Sequence, residues 1–268
     1  MEETEASAVG DAAGWRGPPR PAVQTLGARL ARVEDGVSLV LLGLMTAIPL
    51  AEILARVFGT HVPGAITYVQ VLTLWVGLAG ALLATRADQH LALTAGSGQL
   101  GGRVAQVVVF VTTVVAAAVT AALAQGALTT VWADRASTSE LAGGIPTWIP
   151  QLVLPLGYAL MAVRLAFVRG KGFVRGAAVL AVAGLLLWGL SQADWEQAEN
   201  WALPLVVGLV LTAGLGTPIY VILGGCALLL FWGEDVPIAA VSVETLRQLE
   251  EETLPVLPLF TFTGYILA

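Results

Sequence analysis

The residue pair with the clearest chemical potential is Glu52 and Arg56. Glu52 is the one carboxylate inside an otherwise apolar span, and Arg56 lies one helical turn later. Glu preceding Arg at i, i+4 is the favourable order for a helical ion pair. An intramembrane charge is costly and therefore marks a function by default. Arg56, however, stands near the end of the run, where its long side chain can reach the interface, and this favours a structural ion pair over a transport site. The remaining reactive side chains are scattered. His61, His90 and Cys226 are far apart in sequence, whereas zinc needs several convergent ligands. A single cysteine excludes an intramolecular disulfide, and its apolar setting reads as an inert thiol. The only lysine is Lys171, and no Gly-x-x-x-x-Gly-Lys loop or nucleophile elbow occurs. The chain reads as a non-enzyme without cofactor or metal, and any pumping must draw on an ion gradient or a partner.

The elements that position these residues are apolar. Hydrophobic residues make up 57% and charged residues 12%, against roughly 25% charged in soluble domains, and mean hydropathy is +0.81. No basic excess suits nucleic acid. The opening Met-Glu-Glu-Thr-Glu has no basic region followed by an apolar one, so it is not a signal peptide. Val23, Leu26, Leu30, Val33 and Val37 recur at helical spacing around Arg29 and Arg32, which predicts a short helix in the cytoplasmic headgroup region.

Candidate spans are Val37–Phe58, Ile66–Thr85, Val104–Trp132, Leu141–Val163, Gly176–Leu190 and Ala202–Trp232, with a further run beginning at Leu254. Basic residues set the orientation. Arg16, Arg20, Arg29 and Arg32 precede the first span, Arg86 and Arg103 bracket the second connection, and Arg164, Arg169, Lys171 and Arg175 fill the fourth. These segments are expected in the cytoplasm, with the N-terminus. The stretch holding Asp194, Glu196 and Glu199 is then an outer loop, flanked by Trp188, Trp195 and Trp201 as an aromatic belt. The expected fold is an all-α polytopic membrane protein.

Ala202–Trp232 is too long for one upright helix across a ~30 Å core. Gly214 and Gly216 loosen its middle and Pro218 removes a donor. Two readings stand open, one kinked helix or two half-spans around a broken-helix element of the kind that lines transporter sites. From Glu234 to Glu252 the pattern is amphipathic, with Ile238, Val241, Thr245 and Leu249 on one face, and predicts a segment along the membrane surface. The apolar run from Leu254 is short of a span at Ala268, so the functional unit is expected to continue beyond it.

Ordered short motifs complete the picture: Leu54-Ala55-Arg56-Val57-Phe58, then Leu74-Trp75-Val76-Gly77-Leu78-Ala79-Gly80-Ala81, His90-Leu91-Ala92-Leu93, Ile145-Pro146-Thr147-Trp148 and Leu154-Pro155-Leu156-Gly157. In this order and spacing they resemble the small, four-helix (DctQ-type) permease subunit of the tripartite ATP-independent periplasmic (TRAP) transporters. Gly216-Thr217-Pro218-Ile219, and Leu257-Pro258-Leu259-Phe260 followed by Gly264, resemble the beginning of the large (DctM-type) subunit. Glu52 stands near where that family usually has Asn, and Thr67 and Gln70 stand where it often has Glu.

The resemblance implies four parts. Residues 1–36 are a cytoplasmic leader, 37–170 a small-subunit-like four-helix domain, 171–202 a fusion helix with an outer acidic loop, and 203–268 the opening helices of a truncated large subunit. It also implies a multi-pass protein of the bacterial inner membrane. Its role would be organic acid uptake, of a C4-dicarboxylate or similar carboxylate, as a symport driven by sodium. The implied partners are a periplasmic binding protein, the remaining large permease subunit and the bilayer. A membrane scaffold or assembly subunit with no substrate path is the alternative from another class.

Overall fold

The computed structural model describes residues 22–87, 102–141, 143–170, 172–192, 195–249 and 256–267. The expectations for the leader up to Pro21, for His90, for Lys171 and for Asp194 lie outside them. The chain divides into two units, Met1–Gly36 and Val37–Ala268.

Ten helices occur among the described residues: α1 (Ala22–Val57), α2 (Ala65–Ala87), α3 (Gly102–Arg135), α4 (Trp148–Gln151), α5 (Val153–Gly170), α6 (Phe173–Ser191), α7 (Trp195–Ala213), α8 (Ile219–Gly233), α9 (Ala239–Leu249) and α10 (Val256–Leu267). A two-stranded antiparallel ribbon, β1 (Glu140–Leu141) with β2 (Ile145–Pro146), interrupts them, pairing Glu140 with Pro146. Five stretches are long and apolar enough to cross a membrane: Ala31–Val57, Ala65–Ala87, Gly102–Arg135, Trp148–Arg169 and Phe173–Ser191. The protein is an all-α polytopic membrane protein.

In the second unit α3 is the central post. Ala116 and Leu165 share one buried cluster, and Ala127 and Leu154 another, so α5 runs antiparallel to α3. Leu78 of α2 lies 3.1 Å from the position a Cβ would take on Gly157, and Arg164 Nη1 donates to the Leu82 carbonyl at 3.3 Å. These contacts advance together along both chains, so α2 runs parallel to α5. α6 packs Val179 and Ala183 against Val114, Ala117, Ala118 and Ala166, and so runs parallel to α3. Alanines at these contacts allow close helix approach where lipid supplies no hydrophobic drive.

Three expectations are corrected. First, the amphipathic segment from Val23 and the first span form one 36-residue helix, α1. No proline precedes Pro49 within it, and Gly36 weakens the helix without ending it. α1 stops where Gly59, at φ 71°, turns the chain, with Thr60 N–H donating to the Ala55 carbonyl and Gly59 N–H to Arg56. Second, the fourth span starts later than Leu141, because residues 140–146 form the ribbon and helix begins at Trp148. Third, the stretch expected as an outer acidic loop is helical from Trp195, where Glu, Gln and Ala form helix readily.

Of the two readings left open for Ala202–Trp232, the chain takes the one with two helices, α7 and α8. α7 ends at Ala213, and the chain turns at Gly216, φ 95°, where Thr217 N–H donates to the Thr212 carbonyl and Gly216 N–H to Ala213. This is the glycine-terminated helix stop, and Pro218 follows it as such stops favour. The chain then folds back: a Cβ on Gly225 of α8 would lie 2.6 Å from Leu209 Cδ2 of α7. α7 and α8 are therefore an antiparallel helical hairpin. α8 runs parallel to α3, with Val221 beside Ala116 and Leu228 beside Ala122 and Leu123. The hairpin tip thus reaches the middle of α3, and Gly233 returns to the end of the bundle where α7 began.

Candidate functional site

The hairpin and α9 are seated on the four-helix unit through glycines. A Cβ on Gly224 would lie 3.2 Å from Leu123 Cδ1, and one on Gly126 would lie 2.7 Å from the Ile238 carbonyl oxygen. Thr130 Oγ1 donates to the Ala239 carbonyl at 3.4 Å and to the Gly126 carbonyl at 3.1 Å. The apolar face of α9 therefore lies on protein: Val241 joins the Ala122–Leu123–Leu228 cluster, and Leu246 the Leu74–Leu154 cluster. This corrects the expectation of a segment resting on the membrane surface. The pattern predicted a buried face, and the structure supplies α2 and α3 as the surface that buries it.

Between these layers lies a cavity of about 450 Å3 lined by residues of α2, α3, α5, α8 and α9, among them Gly77, Tyr158, Tyr220 and Gly224. Tyr220 Oη lies 3.5 Å from Thr120 Oγ1. The lining is otherwise mainly apolar. The buried threonines around it turn inward on their own helices. Thr73, Thr85 and Thr120 donate to the carbonyls of Val69, Ala81 and Ala116 at 2.7–2.8 Å. Thr217 at the hairpin tip is different. It is 0% exposed, and its hydroxyl has no hydrogen-bond partner among the described residues.

The end of the bundle near the ribbon is tied by polar contacts. Trp75 Nε1 donates to the Pro150 carbonyl at 3.0 Å, and Gln151 Nε2 to Asp134 Oδ2 at 2.7 Å. The Arg135 guanidinium lies 5.4 Å from the Trp132 ring centre and 5.6 Å from that of Trp148, a cation–π clamp joining α3 to α4. A cavity of about 330 Å3 with a mixed lining opens here, with Thr67, Gln70, Glu140, Thr147 and Gln151 in its wall and Leu246 of α9 closing one side. Thr67 and Gln70, which stand where the resembling family often has Glu, therefore face a shared space at this end.

Glu52 and Arg56 do meet. Arg56 Nε donates to Glu52 Oε1 at 2.9 Å, and Val62 N–H donates to Glu52 Oε2 at 2.7 Å. The carboxylate thus links the last turn of α1 to the turn before α2, while Arg56 stays largely exposed. A cavity of about 390 Å3 beside the pair includes Gln70 of α2 and Val256 and Leu259 of α10.

The other motif positions separate. Trp75, Pro146, Trp148 and Pro155 cluster near the ribbon end on α2, β2, α4 and α5. Gly80 has nothing within 4 Å of the place a Cβ would take, and neither has Gly264. Pro258, Phe260 and Gly264 all lie on α10, with Phe260 exposed. Gly214, Gly216 and Pro218 form the hairpin tip. Sequence reasoning missed Gly126, Gly224, Tyr158 and Tyr220. Gly126 and Gly224 inside apolar helices were the available signal, since such glycines accompany close backbone approach.

Among the described residues no group of three or more His, Cys, Asp or Glu could hold a metal ion. What the arrangement offers is a braced hairpin with cavities along its seam. A comparison with curated proteins finds no match. Residues 45–169, from the middle of α1 to the last turn of α5, match the family described as Tripartite ATP-independent periplasmic transporters, DctQ component, and this part of the chain is similar to that component.

Proposed function

We propose that this chain is a membrane component of a TRAP-type secondary transporter that imports organic acids, a dicarboxylate or similar carboxylate. A periplasmic binding protein would deliver the substrate and a sodium gradient would drive uptake. In this reading residues 37–170 are the small-subunit brace, α6 is the fusion helix, and α7 onward is the opening of the large transporting subunit. The observation that carries it is the seam itself. The stretch similar to the small component, residues 45–169, presents α2, α3 and α5 as a platform on which α8 and α9 lie through Gly126 and Gly224. A brace needs such a platform.

Orientation follows from charge. Arg86, Arg103, Arg164, Arg169 and Arg175 gather at one end of the described bundle, and Asp134, Glu140, Glu234, Asp235 and Glu244 at the other. The basic end is cytoplasmic by the positive-inside rule. The acidic end, with its cavity at Thr67, Gln70 and Glu140, then faces the binding protein.

The test is uptake. Cells lacking this gene should lose sodium-dependent accumulation of at least one radiolabelled carboxylate across a panel, and a plasmid copy should restore it. Unchanged uptake across the panel, or uptake indifferent to collapse of the sodium gradient, would sink the proposal.

A further inference from the structure

At the basic end of the bundle the ends of three helices enclose a cavity of about 230 Å3. Gln106, Val109 and Phe110 of α3 form one wall, and Arg169, Arg175 and Val179 of α5 and α6 another. A Cβ on Gly176 would lie 2.5 Å from Phe167 Cδ1, so only glycine admits that ring, and Phe167 stacks on Phe173 at 5.8 Å between centres. This lock fixes the last turn of α5 against the first turn of α6, which brings Arg169 and Arg175 onto one space. Further along it the lining turns apolar with Val109, Phe110 and Val179. Charge at a helix boundary followed by an apolar channel matches one chemistry, a phosphate attached to an acyl chain. Arginine suits the first part because its planar fork binds phosphate oxygens in pairs. Basic pockets between transmembrane helices are established sites for anionic headgroups.

We propose that this cavity binds one anionic phospholipid, its phosphate between Arg169 and Arg175 and the start of an acyl chain along Val109, Phe110 and Val179. The lipid would cement α6 to α3 and α5, and so steady the helix that carries the hairpin. The proposal does not depend on the transport reading.

Native mass spectrometry of the purified full chain in neutral detergent tests it, with dioleoylphosphatidylglycerol as probe. The expected result is one lipid retained per chain, at least tenfold tighter than dioleoylphosphatidylcholine. Arg169→Gln and Arg175→Gln should each weaken retention about fivefold, and Arg86→Gln on α2 should not. Inorganic phosphate should not displace the lipid. Equal retention of the two lipids, full displacement by phosphate, or undiminished binding in both arginine variants would each overturn the proposal. Should the arginine variants fail to fold, Val109→Trp places an indole from the exposed side of α3 into the cavity. It should evict the lipid while leaving helix content intact, and unchanged retention there would equally refute the site.

Discussion

Replacing Gly126 by alanine separates packing from propensity at the seam between the four-helix unit and α9. Ala is favoured over Gly inside a helix by about 1 kcal/mol, so the change would stabilise α3 if space allowed. It does not: the new methyl would sit 2.7 Å from the Ile238 carbonyl oxygen and 3.2 Å from its carbon. A comfortable carbon–oxygen contact is about 3.3 Å, so the backbone at Ile238–Ala239 must withdraw by roughly 0.6 Å. Both partners are backbone, so no side-chain rotation relieves the clash. The withdrawal also stretches the Thr130–Ala239 hydrogen bond, already 3.4 Å. Overpacking of this size costs about 1–3 kcal/mol, leaving a net destabilisation of about 0–2 kcal/mol after the propensity gain. Gly184→Ala on α6 is the matched control, since nothing lies within 4 Å of its Cβ position, and it should gain about 0.5–1 kcal/mol. Thermal and denaturant unfolding of the two variants in the same detergent measures the gap, expected near 1–3 kcal/mol. If Gly126→Ala is as stable as Gly184→Ala, α9 does not rest on α3 and the platform argument fails.

Three further outcomes follow from named contacts. Glu52→Gln and Arg56→Gln should each lower the yield of folded protein, and the double variant should lose less than the sum, because one ion pair underlies both; additive losses would deny the pair a structural role, and normal yield with selectively lost uptake would make Glu52 a transport carboxylate. Thr217→Val should leave thermal stability unchanged or raise it by about 1 kcal/mol, since it removes a buried hydroxyl without a partner; a clear loss would mean that the hydroxyl is bonded. The Glu244 carboxyl, held down to about 2 by hydrogen bonds from Arg247 and then Gln248, contributes stability that is fully present above the ordinary carboxylate range, declines as pH falls below that range, and is gone once pH has passed about 2. Carbon-detected NMR of labelled Glu should show that midpoint, moving up in Arg247→Gln, and an unmoved midpoint would assign the shift elsewhere.

Much of this architecture was legible in the residues. Apolar length gave α2, α3 and α6 to within a few residues, because the backbone of a segment in lipid must satisfy itself as helix. The i, i+4 spacing of Glu52 and Arg56 announced their contact, though not the Val62 N–H that shares the carboxylate. The hairpin was harder. Gly214-Leu215-Gly216-Thr217-Pro218 carries a helix-stop signal, but composition alone does not say whether the chain continues forward or folds back. That is decided by Gly225 admitting Leu209 and by Gly224 admitting Leu123, which are contacts between distant segments. The amphipathic stripe of α9 likewise specified a buried face without specifying the surface that covers it. The ribbon at residues 140–146 was hidden because Ile145-Pro146 reads as apolar, while its pairing with Glu140 depends on the turn at Gly143 and Gly144, both with positive φ.

Side-specific thiol labelling tests directly whether α7 and α8 form a hairpin seated on the four-helix unit. In a Cys226→Ser background, single cysteines are placed at Arg103, Gln192 and Glu234, at the start of α3, the end of α6 and the end of α8. A membrane-impermeant maleimide added to intact spheroplasts should modify the cysteines at Gln192 and Glu234 and leave the one at Arg103 untouched until the membrane is opened. Labelling that places Glu234 with Arg103, opposite Gln192, would make residues 195–233 a single crossing and contradict the account.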